Sequence, residues 1–105
     1  MNEHHIQVIT SEMKCQPWQV KATAELLSEG STIPFISRYR KEMTGSLDEV
    51  AVSNIRDRLE QLQEIDSRRD TILRSLEDQG KLTEELQLKI MGAETLTLLE
   101  DIYLP

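Results

Sequence analysis

Residues 46–80 read SLDEVAVSNIRDRLEQLQEIDSRRDTILRSLEDQG, and between Ser46 and Gly80 there is neither proline nor glycine. Nothing in the run breaks a helix. It predicts one unbroken helix from about Leu47 to Gln79, roughly 30 residues and ~45 Å long, which is longer than most globular helices. Ser46 followed by Glu49 has the spacing of a capping box. Asp48 and Glu49 complement the positive end of the helix dipole. The apolar stripe runs Val52, Ile55, Leu59 and Leu62, then Leu73 and Leu76. Asp66 and Arg69 occupy its middle positions, flanked by Ile65 and Ile72. Such an interruption has three readings: exposure between two packed ends, a kink, or a partner that supplies charges. A dimeric coiled coil is a fourth, weakened by two polar seam positions. The expectation is a continuous helix whose ends pack on different groups.

Working outward, residues 32–45, TIPFISRYRKEMTG, hold one proline, the only phenylalanine and the densest basic cluster. Pro34 suits the first position of a helix, where no N–H partner is needed. Gly45 suits a left-handed stop. Between them Phe35, Ile36, Tyr39 and Met43 share one side at helical spacing, and Ser37, Arg38 and Lys41 share the other. The stretch therefore predicts a single amphipathic helix from Pro34 to Met43 with a basic outer face. Arg40, at the boundary, is expected to be partly buried and paired with Asp48 or Glu49. Arg38 and Lys41 are the candidates for contacting a phosphate or an acidic partner.

Residues 3–14 predict a first helix, with Ile6, Ile9 and Met13 inward and the adjacent His4 and His5 solvated. Pro17 opens a second helix and Gly30 closes it. Apolar residues on two sides place that helix between neighbours, with Trp18 as its largest buried group. Beyond Gly80, Thr83 caps a helix with Leu86 and Ile90 inward and Gly92 at its end. A last helix from about 95 to 103 carries Leu96, Leu99 and Tyr103 on one face, and Leu98 and Ile102 on another. No stretch alternates in the manner of a strand. The fold class is all-α: an irregular bundle of about six helices around a long central one (47–79), with three short helices in 1–46 and two in 80–105.

The 105 residues suit one domain with a modest core. With 12 Lys or Arg against 19 Asp or Glu, the net charge is −7, which argues against autonomous nucleic-acid binding, since phosphates call for a net basic face. Cys15 is the only cysteine, so no internal disulfide forms and a cytoplasmic setting is the natural expectation. It reads as a small packed residue. No apolar run reaches membrane-spanning length, and no signal peptide is expected. There is no glycine-rich phosphate loop and no metal-ligand spacing, so no catalytic residue, metal ligand or cofactor is expected.

The run Pro34-Phe35-Ile36-Ser37-Arg38-Tyr39-Arg40-Lys41-Glu42-Met43-Thr44-Gly45 closely resembles the N-terminal region of the Tex family of bacterial transcription accessory proteins. Leu47-Asp48-Glu49, the EDQGKLT run at 77–83 and the closing LEDIYLP at 99–105 extend the resemblance over essentially the whole chain. It implies a piece of a larger protein. The family continues past this region into a basic linker, an RNase-H-like domain, helix-hairpin-helix elements and an OB-type RNA-binding domain. The function it implies is a non-catalytic helical scaffold, with nucleic acid bound mainly through domains absent here. The other domains of its own chain, and the transcription machinery, are further expected partners. Two alternatives stand beside it: a protein-interaction module, or a free-standing helical adaptor, docking through the long helix. In all three Pro34, Phe35, Tyr39, Arg40 and Gly45 are structural, and Arg38 and Lys41 are the binding candidates.

Overall fold

Asp48, not Ser46, starts the long helix. Its carboxylate accepts from the Ala51 N–H at 2.8 Å and its carbonyl from the Val52 N–H. Ser46 is held in the left-handed region at φ 66°, following Gly45 at φ 70°, and two successive left-handed residues reverse the chain before the helix begins. The capping box expected from Ser46 and Glu49 is therefore not made. The computed structural model describes residues 2–103; the last two residues of the closing LEDIYLP run, Leu104 and Pro105, lie outside them.

The described residues form seven helices and no strand: α1 (Glu3–Met13), α2 (Pro17–Ser28), α3 (Ile33–Tyr39), α4 (Lys41–Thr44), α5 (Glu49–Asp78), α6 (Glu84–Gly92) and α7 (Leu96–Tyr103). The fold is all-α, with the long helix continuous. The extra helix arises because the run expected as one, Pro34 to Met43, divides at Arg40, whose backbone leaves the helical region (φ −129°, ψ 31°). The Arg40 carbonyl then accepts from the Met43 and Thr44 N–H groups and starts α4. Pro34 takes the second helical position after the Thr32 cap, not the first.

Packing divides the chain into two units, one closing at Glu60 and the other opening at Gln61, and α5 supplies residues to both. In the first unit α2 packs on α1, α3 and α4. Leu26, Ile36 and Val52 form a buried cluster, edged by Leu27, Ile33 and Leu47. Ile6 and Ile9 of α1 are also buried. Arg58 closes this unit with a fork onto the Glu12 carboxylate at 2.8 and 2.9 Å, joining α5 to α1.

The second unit answers the polar interruption. Asp66 and Arg69 need neither a kink nor a partner. Arg69 donates to the Ile90 carbonyl at 3.1 Å, the Ala93 carbonyl at 2.5 Å and the Asp66 carboxylate at 2.7 Å. The C-terminal carbonyls of a helix lack intrahelical donors; at the end of α6 the Ile90 carbonyl accepts from the Ala93 N–H at 3.3 Å, and a guanidinium from α5 adds a bond to it and one to the carbonyl of the cap residue Ala93. Around this site Ile72, Leu76, Ile90, Ala93 and Leu99 make a buried cluster. Arg68 pairs with Glu100, and the hydrogen bond from that guanidinium holds the Glu100 carboxyl below the ordinary glutamate range.

Two burial expectations in α1 and α2 are overturned. Trp18 is 53% exposed, and the inward positions of α2 are Val20, Thr23, Ala24 and Leu26. His5 is buried rather than solvated, because it lies on the same face of α1 as Ile9. In α7, Leu99 is buried and Ile102 and Tyr103 pack at the cluster edge, but Leu98 faces outward.

Candidate interaction surface on the third and fourth helices

Thr32 caps α3 by accepting from the Phe35 N–H, and Pro34 presets the first turn. The face of α3 that meets the core is Ile33, Ile36 and Ser37. Ile36 is fully buried, and the Ser37 hydroxyl donates to the Ile33 carbonyl at 2.8 Å, which satisfies it inside the protein. The wheel phase expected from the aromatic spacing is therefore wrong. Phe35, Tyr39 and Met43 are exposed, and Ser37, placed on the outer face, is buried. Self-satisfaction lets a serine take an inward position, and two isoleucines fill the space beside Leu26 and Val52.

The consequence is that aromatic and basic side chains share the solvent side. Phe35 and Tyr39 make a tilted pair with centroids 5.4 Å apart and planes at 50°. The Arg40 guanidinium lies 4.7 Å over the Phe35 ring and donates to the Tyr39 carbonyl at 2.8 Å. Arg40 is half-buried as expected, but no carboxylate among the described residues pairs with it. Of the two expected partners, Asp48 is engaged in starting α5 and Glu49 makes no pair with Arg40. Arg38 and Lys41 are exposed.

Replacing Arg40 by alanine removes an aromatic stack, not a buried ion pair, so the expected cost is about 0.5–1 kcal/mol. Arg38→Ala and Lys41→Ala are each expected to stay within about 0.5 kcal/mol. Thermal melts of the three single variants check this. An Arg38→Ala loss equal to that of Arg40→Ala would remove the distinction between them.

Two residues that matter to this region were not legible as such. Gln19 of α2 donates through its side-chain amide to the carbonyls of Thr44 at 3.0 Å and Gly45 at 3.4 Å. The Trp18 ring lies so close to Gly45 that a β-carbon there would come within 2.7 Å of it. Neither contact leaves a local trace, since each joins residues more than twenty positions apart. Cys15 is half-buried, and burial pushes its thiol above the ordinary value, away from the thiolate that a nucleophile or metal ligand needs. Among the described residues no His, Cys, Asp and Glu cluster could hold a metal ion, and no helix is long and apolar enough to cross a membrane.

Residues 3–77 match the family model described as the Tex-like protein N-terminal domain. The chain belongs to that family. The Tex-like match takes in α1 to α4 and all but the last residue of α5. Among its relatives, "Protein YhgF" of Escherichia coli K12 is 47% identical over the whole chain, which covers 14% of that protein. "Transcriptional accessory protein Tex" of Neisseria gonorrhoeae is 43% identical over 93% of the chain and 13% of its own length. The human "S1 RNA-binding domain-containing protein 1" is 29% identical over the whole chain and 11% of its own length. The chain thus spans between 11% and 14% of these Tex-like relatives.

Proposed function

We infer that this chain is a non-catalytic helical scaffold unit of a Tex-like transcription accessory protein, with nucleic acid engaged mainly by parts of such a protein outside these residues. The observation that carries the reading is the family match over residues 3–77, with a relative named as a transcriptional accessory protein and another named for an S1 RNA-binding domain. The geometry supports a scaffold role. Arg58, Arg68 and Arg69 of α5 all bind groups on other helices of their own unit, so much of the long helix's charge ties the fold together. That leaves less reason to treat Asp66 and Arg69 as a docking site for a partner. Arg38 and Lys41 remain exposed and are the residues proposed to contact a phosphate or an acidic partner. The single cysteine supports a cytoplasmic setting.

The test is fluorescence anisotropy with single-stranded RNA. With a net charge of −7, the chain alone is expected to bind weakly or not at all at physiological salt. A submicromolar, salt-dependent affinity would overturn the scaffold reading and make this unit a nucleic-acid binder in its own right.

A further inference from the structure

The exposed side of α3 and α4 joins aromatic rings to cations that have no carboxylate partner among the described residues. The protein has a large excess of acid, 19 acidic against 12 basic residues. Arg56, Arg58, Arg68, Arg69 and Lys89 each sit against a carboxylate. Arg38, Arg40 and Lys41 do not, among the described residues, and neither do Lys14, Lys21, Arg74 and Lys81; the three differ in lying within four positions of one another beside the Phe35 and Tyr39 rings. Arg40 is also oriented. Its guanidinium carbon lies over the Phe35 ring, and one terminal nitrogen donates to the Tyr39 carbonyl. A guanidinium held this way keeps in-plane donors for a planar two-oxygen acceptor. On the same two helices Tyr39 is 60% exposed and Met43 is 44% exposed. Large apolar groups of this kind are enriched where protein segments dock.

We propose that Phe35, Arg38, Tyr39, Arg40, Lys41 and Met43 form a docking surface for an acidic polypeptide segment that carries apolar side chains between its carboxylates. This deepens the scaffold reading and rests on it by naming the partner class of the Arg38 and Lys41 side. Charge complementarity selects the occupant: exposed Arg38 and Lys41 and half-buried Arg40, none with a carboxylate partner among the described residues, cluster on an otherwise acidic protein. Two observations favour a peptide over single-stranded nucleic acid. The Phe35 face that a base would stack on is covered by Arg40. Three cations also neutralise few phosphates, and the surrounding net charge of −7 repels a long polyanion. A short segment with a few carboxylates and intervening leucines meets both the cations and the apolar rings at smaller long-range cost.

The experiment is amide chemical-shift titration of the 105-residue chain. The first probe is a short peptide in which glutamates alternate with leucines, the second is the same peptide with glutamine for every glutamate, and the third is an oligouridylate of equal charge. The expected result is saturable shifts concentrated at Phe35 to Met43 with the glutamate peptide and none with the glutamine peptide. Arg38→Ala combined with Lys41→Ala, both at exposed positions, is expected to weaken binding about three- to ten-fold while leaving the remaining spectrum unchanged. Tyr39→Ala is expected to weaken it comparably through the apolar half. Arg40→Lys keeps the charge but loses the stacked fork, and is expected to weaken it too. Shifts elsewhere on the chain, equal binding of the glutamine peptide, or no shift at millimolar peptide would each overturn the proposal while leaving the scaffold reading standing. Stronger perturbation of the same amides by the oligouridylate would overturn it in favour of nucleic acid. Only a submicromolar oligouridylate affinity would also remove the scaffold reading.

Discussion

Replacing Arg69 by alanine is expected to destabilise the chain by about 2–4 kcal/mol, the range for removing a largely desolvated charge with several hydrogen bonds. The Arg69 side chain is 14% exposed and its partner Asp66 31% exposed, so solvent screens the pair only in part. The substitution removes the charged donor from the Ile90 and Ala93 carbonyls at the end of α6 and leaves Asp66 facing a site built for a cation. Lysine is expected to recover little, because a single ammonium cannot reach two carbonyls and a carboxylate in the fork geometry of the guanidinium. Urea unfolding gives the loss of stability, and amide exchange locates it. Faster exchange is expected in α6 and α7, where Ile90, Ala93 and Leu99 are buried. A change below about 0.5 kcal/mol, as at an ordinary surface site, would show that the interrupted stripe of α5 is not a structural joint.

The second large effect belongs to Gly45. Its φ is +70°, and a β-carbon there would lie 2.6 Å from the Gln19 amide nitrogen and 2.7 Å from the Trp18 ring. Alanine meets the left-handed backbone penalty, about 1–2 kcal/mol, and must also push aside the ends of the Gln19 and Trp18 side chains, which disturbs the Gln19 hydrogen bonds to the Thr44 and Gly45 carbonyls at about 0.5–1.5 kcal/mol. Gly30 provides an internal comparison. Its φ is +92°, but nothing lies within 4 Å of an added β-carbon, so Gly30→Ala is expected to incur the backbone penalty alone, about 1–2 kcal/mol. In thermal melts Gly45→Ala should fall clearly below Gly30→Ala, and adding Trp18→Ala should return part of the difference. Equal midpoints for the two glycine variants would mean that the Trp18 ring moves aside freely.

Helix existence was legible except where the expected third helix divides into α3 and α4, and for identifiable reasons. Pro17, Pro34, Gly30, Gly45 and Gly80 punctuate the chain, and the glycines take the left-handed conformation their positions call for. The long helix needed only the absence of breakers between Ser46 and Gly80 together with a regular stripe; its observed span of Glu49–Asp78 lies within two residues of the expected one. The Thr83 cap was equally local, accepting from the Leu86 N–H. Each of these features depends on backbone geometry within a few residues, which residue identity controls directly.

The surface of α3 and α4 was legible only in composition. That the stretch joins aromatic rings to cations is plain from residues 32–45, but the side each faces is not. A wheel ranks positions by hydrophobicity and assumes one continuous helix. Here the helix breaks at Arg40, and a self-bonded serine competes successfully with a phenylalanine for the inside. Trp18 misled in the same way: its size argued for burial, yet Val20, Thr23, Ala24 and Leu26 fill the inner face of α2.

By itself, then, the sequence determined the all-α class, the long helix, the left-handed stops and the Tex-like family, because punctuation, periodicity and motif are carried by neighbouring residues. Tertiary structure alone decided which face of α3 is buried and that the polar gap in α5 closes the end of α6. Arg69 bonds carbonyls 21 and 24 residues away, and Gln19 bonds carbonyls 25 and 26 residues away. Bonds across such distances exist only once separate helices have packed, so no local pattern can announce them.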